Sequence, residues 1–417
     1  MRTLVSSLVS ALIHYYVWRR VVRDPRWSAR AQRIATWLMI AMYLAVPVTM
    51  WAARLGAASL ATALGWVAMP WMVAVGLTAV WRGALDLLMG GPSALSWLWS
   101  RGRRGRAPQS SPPEAAPLSD PLAAPRLASS STAAAPAAID RRVFLLRAAS
   151  GTAVVATAAS MSAGMAAALG EHEVVTVEVP LARLPRGLDG FSIVQLTDLH
   201  VGVTIDRGFV QRVVERANAL APDLIVLTGD LVDGKVEDLR ADAAPLAQLR
   251  ARHGVYAVTG NHEYYSGADP WIAELSRLGV RYLRNQRVAI GDGAETFDLA
   301  GIDDYSADRW QGHGADLASA LRDRDATRAL VLLAHQPRQV HQAVAAGVDL
   351  QLSGHTHGGQ VWPWHYIVRV QQGGFLAGRY QVGGTQLYVS RGCGYFGPPV
   401  RLGAPLEITR IILRAAS

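Results

Sequence analysis

Leu352–His365 reads LSGHTHGGQVWPWH and places three of the chain's 11 histidines in one short span. An apolar run ends at Ser353-Gly354, and His355 and His357 follow at i, i+2 spacing. On a strand these two side chains would share a face, and on a tight loop they would converge on one point. Taken alone, such a pair reads equally well as a polar surface loop. Partners elsewhere in the chain decide the matter.

Four other apolar runs end in the same way. FSIVQLTD leads into Asp198-Leu199-His200, DLIVLTGD ends on Gly229-Asp230, VYAVTGNHE ends on Gly260-Asn261-His262-Glu263, and RALVLLAHQP carries Ala334-His335. Stretches of helical periodicity separate them, at 206–221, 238–252, 269–278 and 338–346. Strands alternating with helices predict βαβ units and a sheet covered by helices. Near 288–303 and 361–415 strand patterns come without helices, which predicts hairpins closing a second, mixed sheet. Sites in open α/β sheets assemble at the carboxyl ends of strands, so polar groups far apart in sequence can meet there. Asp198 or Asp230 alone would read as a helix cap. Five motifs at the same structural position read as a site.

The residue types specify a chemistry. Two divalent ions about 3.5–4 Å apart need one shared anion and several oxygen and imidazole ligands around each. Mixed Asp, Asn and His ligation suits Mn, Fe, Zn or Co; calcium takes oxygen only. Gly229, Gly260 and Gly354 remove a Cβ where the backbone must turn beside such ions.

In this order, DLH, GD, GNHE, AHQP and GHTHGGQ resemble the five blocks of the calcineurin-like metallophosphoesterases, over about residues 173–415. SGHTHGGQ and the later LYVSRGCGYFGPPVRLGAPLEI resemble most closely the membrane-associated bacterial phosphodiesterase branch. The resemblance implies an α/β fold, a four-layer αββα sandwich of two mixed sheets. It implies that Asp198, His200 and His357 hold one ion, that Asp230 bridges, and that Asn261, His335 and His355 hold the second. His262 would then face the substrate, stabilising phosphoryl charge and protonating the leaving oxygen. Two departures narrow the resemblance. The protein Ser/Thr phosphatases follow GD with a Val-Asp-Arg-Gly run, whereas Leu231-Val232-Asp233-Gly234-Lys235 lacks that arginine. Purple acid phosphatases place a metal-bound tyrosine where Asp233 stands.

The rest of the chain reads differently. Hydrophobic residues make up 51% of it, and residues 1–100 hold nine of the thirteen tryptophans. Apolar runs occur at Leu4–Trp18, Ile34–Ala53, Ala57–Trp81 and Val143–Leu169. The second and third are long enough to cross ~30 Å of hydrocarbon. The first is short and carries His14, Tyr15 and Tyr16; Leu85–Trp99, with Asp86, Gly90, Gly91 and Pro92, reads as interfacial or as a continuation of the preceding helix. The net charge of +9 is concentrated beside these runs, at Arg19–Arg33, Arg101–Arg106 and Arg141-Arg142. That is the positive-inside pattern of a membrane protein, and no nucleic-acid partner is expected. Cys393 is the sole cysteine, which excludes an internal disulfide and any multi-cysteine metal site.

The expected organisation is therefore a transmembrane module at 1–100 and a disordered Pro/Ala/Ser/Arg-rich linker at 101–140. A helix at 141–170 and a catalytic domain at 171–417 follow. DRRVFLLRAASG and the weakly apolar run after it resemble a twin-arginine export signal with an A-x-A-like end at Ala166 and Ala168, which would make the twin-arginine machinery a partner. An ordinary anchor helix fits equally well. Either puts Arg141-Arg142 on the cytoplasmic side and the catalytic domain outside a bacterial cytoplasmic membrane. The function expected is a phosphodiesterase or phosphomonoesterase with two divalent ions and a phosphate-ester substrate, lipid-linked in one version. Two alternatives stay open: a cytoplasm-facing hydrolase of a nucleotide-sugar lipid precursor, and a non-catalytic membrane receptor keeping the fold. The aromatic segments Trp362-Pro363-Trp364 and Tyr395-Phe396 read first as core packing and second as a rim that grips lipid.

Overall fold

The computed structural model describes residues 2–55, 57–103, 140–293 and 295–416. The linker expected at 101–140 lies, but for its two ends, outside the described residues. Four helices come first: α1 (Arg2–Val17), α2 (Ala29–Arg54), α3 (Ala58–Arg103) and α4 (Arg141–Leu169). Three contain stretches long and apolar enough to cross a membrane, at Ala29–Thr49, Ser59–Met89 and Arg141–Leu169. By internal contacts the chain forms two compact units, residues 1–40 with 75–157 and residues 41–74 with 158–417.

In the first unit, Leu85–Trp99 continues the preceding helix, one of the two readings open for it. The reason is charge neutralisation. Asp86 accepts from Tyr16 Oη at 2.8 Å, pairs with Arg20 Nε at 2.9 Å, and also pairs with the fully buried Arg82 one turn earlier. A carboxylate with three partners no longer has to end the helix at water. Farther along, Arg147 of α4 donates to the carbonyls of Pro25 and Arg26, at 3.0 and 2.9 Å, and Ser150 donates to that of Arg20.

The second unit contains two six-stranded sheets. The first runs, in spatial order, β1 (Glu173–Leu181), β12 (Glu407–Ala415), β2 (Ser192–Leu196), β3 (Leu224–Leu227), β4 (Val255–Ala257) and β5 (Arg281–Tyr282). The second runs β10 (Gly378–Val382), β11 (Thr385–Val389), β9 (Leu350–Ser353), β8 (Leu330–Leu333), β7 (Glu295–Gly301) and β6 (Gln286–Asp292). Both are mixed: β12 runs antiparallel to β2, and the β6–β7 and β10–β11 hairpins are antiparallel, while the central pairs are parallel.

Period-2 alternation builds the layers. Along β3, Ile225 and Leu227 face a core shared with α5 (Arg207–Ala219), α6 (Val236–Ala243) and α8 (Ala268–Arg277), where Phe209, Val213 and Trp271 are buried. Leu224 and Val226 face the opposite way, into a core between the sheets with Phe297, Leu299, Val331 and Leu333. Along β8 the other pair, Leu330 and Leu332, packs beneath α9 (Leu317–Ala320) and α10 (Val340–Ala345). Helix, sheet, sheet, helix: this is the four-layer αββα sandwich.

Four local readings are corrected. The strand at 407–415 does not close the second sheet; β12 inserts between β1 and β2 of the first, a long-range pairing that local pattern does not encode. Residues 365–371, read as strand, form the helix α11 (His365–Gln371), bounded by Pro363 and by Gly373-Gly374. The helix expected over 238–252 stops at Ala243, because Pro245 lacks the N–H that would extend it, and continues as a 3₁₀ turn. The strand read through VYAVTGNHE ends at Ala257, and Asn261–Ser266 forms the short helix α7.

Candidate metal centre

The strand ends deliver their side chains through strained backbone. Asp198, His200, Asp230, His355 and His357 all have φ between 51° and 69°, the left-handed region that costs a residue with a Cβ of order 1–3 kcal/mol. Five such residues in one place mark a site whose geometry the fold enforces. Close approach does the rest. A Cβ on Gly354 would run into Asp198 Oδ2 and Thr197 Oγ1, and one on Gly260 would run into Asp230 Oδ1. His355 N donates to both Asp198 oxygens, at 2.9 and 3.0 Å, joining the last strand end to the first.

Three donor groups result, one of them His200, Asp233 and His262. Asp198, His200 and His357 bring ligand atoms within 4.8 Å of one another, and so do Asp230, His335 and His355. His200 Nε2 lies 3.0 Å from His357 Nε2, and His335 Nε2 lies 3.1 Å from His355 Nδ1. Asp230 Oδ2 sits between the clusters, 3.0 Å from His335 Nε2 and 3.9 Å from His200 Nε2. The structure thus gathers Asp198, His200, Asp230, His335, His355 and His357. Asn261 stands beside them at the start of α7, next to His262, whose backbone N–H donates to Asp230 Oδ1 at 2.8 Å.

The donor set fits divalent ions. Asn261 Oδ1 is buried with no hydrogen-bond partner among the described residues. His335 Nδ1 donates to the Thr228 carbonyl at 2.8 Å and His200 Nδ1 to Asp233 at 2.9 Å, so both rings keep Nε2 for a ligand. Burial lowers His355 to about 3 and holds His357 well below its ordinary value, whereas at His335 the charge of Asp230 outweighs burial and favours the proton that a metal ion would have to displace. Neutral imidazole is the form that binds metal. Burial raises Asp198, so a cation is what would hold its charge in place.

His262 differs from the others. Its Nδ1 lies 2.7 Å from Asp233 Oδ1, and its side chain is 16% exposed, open enough to reach a substrate. Burial alone would depress it, but the charge of Asp230, followed by the hydrogen bond and charge of Asp233, pushes it up to about 9. Those two carboxylates favour its protonated form.

Sequence reasoning missed three supporting residues. Asp233 accepts from both His200 and His262, yet in sequence it is one acid in a loop. Glu263 is fully buried and accepts from the backbone N–H groups of Asp230, Leu231 and Gly260 at 2.9, 2.6 and 2.6 Å. Arg401 is 1% exposed and binds the carbonyls of Gly394 and Ala404 while its Nη2 approaches His357 Nδ1 at 3.1 Å. The GNHE block contained the signal for Glu263; nothing local signalled the other two. The aromatic segments divide: Tyr395 is buried and bonds the Thr204 carbonyl, as packing requires, whereas Phe396 is 51% exposed beside His262.

Residues 191–359 match the family model for calcineurin-like phosphoesterase. A transmembrane protein with metallophosphoesterase domain from Bos taurus is 43% identical over 276 residues, 63% of this chain and 62% of that protein. The metallophosphoesterase YkuE of Bacillus subtilis is 32% identical over 289 residues, 67% of this chain and 99% of the relative. A metallophosphoesterase of Aquifex aeolicus is 36% identical over 238 residues, 56% of this chain and 88% of the relative. The chain spans 62% of the length of the bovine protein.

Two outcomes follow from this geometry. Gly354→Ala should stay folded by circular dichroism yet bind Mn or Zn at least about tenfold more weakly, because the new methyl displaces Asp198; unchanged affinity by titration calorimetry would refute the close-approach argument. Asp230→Asn weakens the one anion placed between the clusters and should abolish turnover in a folded protein. Activity within a few-fold of wild type, with both metals still counted by elemental analysis, would remove Asp230 from that role.

Proposed function

This chain belongs to the calcineurin-like metallophosphoesterase family, and from that premise we propose that it is a membrane-anchored dinuclear-metal phosphodiesterase acting outside the cytoplasmic membrane. The observation that carries the reading is the buried Asp230 carboxylate, which belongs to one three-residue cluster with His335 and His355 and also faces His200 of the other. Asp198, His200 and His357 would hold one ion, Asn261, His335 and His355 the other, and Asp230 both. Mn, Fe, Zn and Co all suit this mixed donor set. Two such ions, when bound, supply Lewis-acid charge against phosphoryl oxygens and a water acidic enough to attack at neutral pH.

The chain's own residues supply the rest. Asp233 accepts from His262 Nδ1 and so fixes the ring with its protonated Nε2 free for the leaving oxygen. The same carboxylate orients His200, so one loop acid couples the ligand shell to the acid. His262→Ala should keep both metals and lose on the order of 10²–10⁴ in rate on alkyl esters, and much less on nitrophenyl esters, whose leaving group needs no proton. Equal losses on both would reject the acid role.

Orientation follows from charge. The arginines at 19–33, at 101–106 and at 141–142 all belong on the cytoplasmic side, and α2 and α3 supply the even number of crossings that this requires. Helix α4 then carries the catalytic domain out. A phosphatase reporter fused after residue 417 should be active, and one fused near residue 120 silent. The reverse result would favour the cytoplasm-facing alternative.

A further inference from the structure

We propose that a groove beside the metal centre holds the hydrocarbon chain of an amphiphilic phosphoester, which makes the substrate a lipid phosphodiester; the proposal rests on the metal-centre reading above. The groove encloses about 400 Å³, within the range of ligand pockets. His355 and His357, one from each metal cluster, form part of its lining. Trp364, Val368 and Phe396 give it an apolar wall. A phosphate at the clusters would therefore have an apolar channel next to it, and a soluble sugar phosphate has nothing apolar to place there.

Two further observations choose a lipid as the occupant. Met72 and Val73, from within the candidate span Ser59–Met89 of α3, complete the wall. That span covers 31 residues, or ~46 Å at 1.5 Å per residue, more than the ~30 Å hydrocarbon layer needs, so its side chains can serve both the bilayer and the groove. Helix α11 is apolar on both sides. Trp364 and Val368, at i, i+4, line the groove, while Tyr366, Ile367 and Val370 are 63%, 56% and 80% exposed. Three large apolar side chains at i, i+1, i+4 spacing form an outward patch that water disfavours and a membrane interface accepts. Trp362, 36% exposed just before this helix, suits the same level. A helix with lipid outside and an alkyl chain inside would pass a substrate sideways from the bilayer to the metals.

The test uses the full chain, loaded with Mn, in phosphatidylcholine nanodiscs. Methyl, butyl and octyl p-nitrophenyl phosphate share a leaving group and differ only in the chain. In wild type kcat/KM should rise ~2- to 4-fold for each methylene that enters the groove. In Val368→Asp the rise should flatten, and Trp364→Ser, a milder change, should reduce it. Each variant sees the same partition into the disc, so the difference in slope isolates the groove. A flat wild-type series, or variants with the wild-type slope, overturns the proposal. Failure to hydrolyse any of the three esters with any of Mn, Fe, Zn or Co would instead strike the metal-centre reading. In that event calorimetry with methyl and octyl phosphate decides the groove: tighter octyl binding in wild type but not in Val368→Asp upholds it, and equal binding overturns it.

Discussion

The candidate metal centre depends on a carboxylate that belongs to none of its donor groups. Glu263 sits fully buried and gathers three backbone N–H groups, from Asp230, Leu231 and Gly260. Those groups end two different strands, β3 and β4, and they would otherwise be orphaned in the interior, where an unpaired amide costs ~1–3 kcal/mol. By satisfying all three, Glu263 holds Asp230 in its left-handed conformation and Gly260 close against it. The clusters on either side of Asp230 are arranged around that fixed point. A change at Glu263 would act on the metals without being a ligand.

Asp233 has a comparable role a few residues beyond Asp230. It stands where related phosphatases carry other chemistry, and here it joins His200 to His262 through one oxygen. If His200 is a ligand and His262 the acid, as proposed, the shared anchor keeps the two from being tuned separately. The site is better described as one connected set of charges than as two ions with an accessory histidine.

How much of this was legible follows from where each signal lies. Every gathered cluster residue stands at or just beyond the end of an apolar run, so Asp198, His200, Asp230, Asn261, His335, His355 and His357 were visible as motifs before any fold was known. The two-sided alternation of β3 and β8 likewise makes the sandwich readable. What escaped depended on contacts between distant segments. β12 takes its place only because β1 and β2 leave a gap for it. Asp233 and Arg401 look like ordinary loop charges until their partners arrive. Asp86 suggested a helix pulled toward the interface, and only Arg20, Arg82 and Tyr16, from other turns and another helix, explain why α3 runs through it. Trp364 stood out in the sequence within an aromatic segment, but Val368 was hidden because a short helix with three β-branched residues resembles a strand.

The left-handed backbone at Asp198, His200, Asp230, His355 and His357 also restricts what mutation can try. Asn, Asp and His are the residues other than glycine that enter this region most readily, and β-branched ones do so at the greatest cost. They are also oxygen and nitrogen donors for borderline metals. The backbone therefore filters substitutions before selection does: glycine apart, a change at these five positions either strains the loop or leaves another candidate ligand. A laboratory search for new metal preference could restrict its libraries to those few residue types.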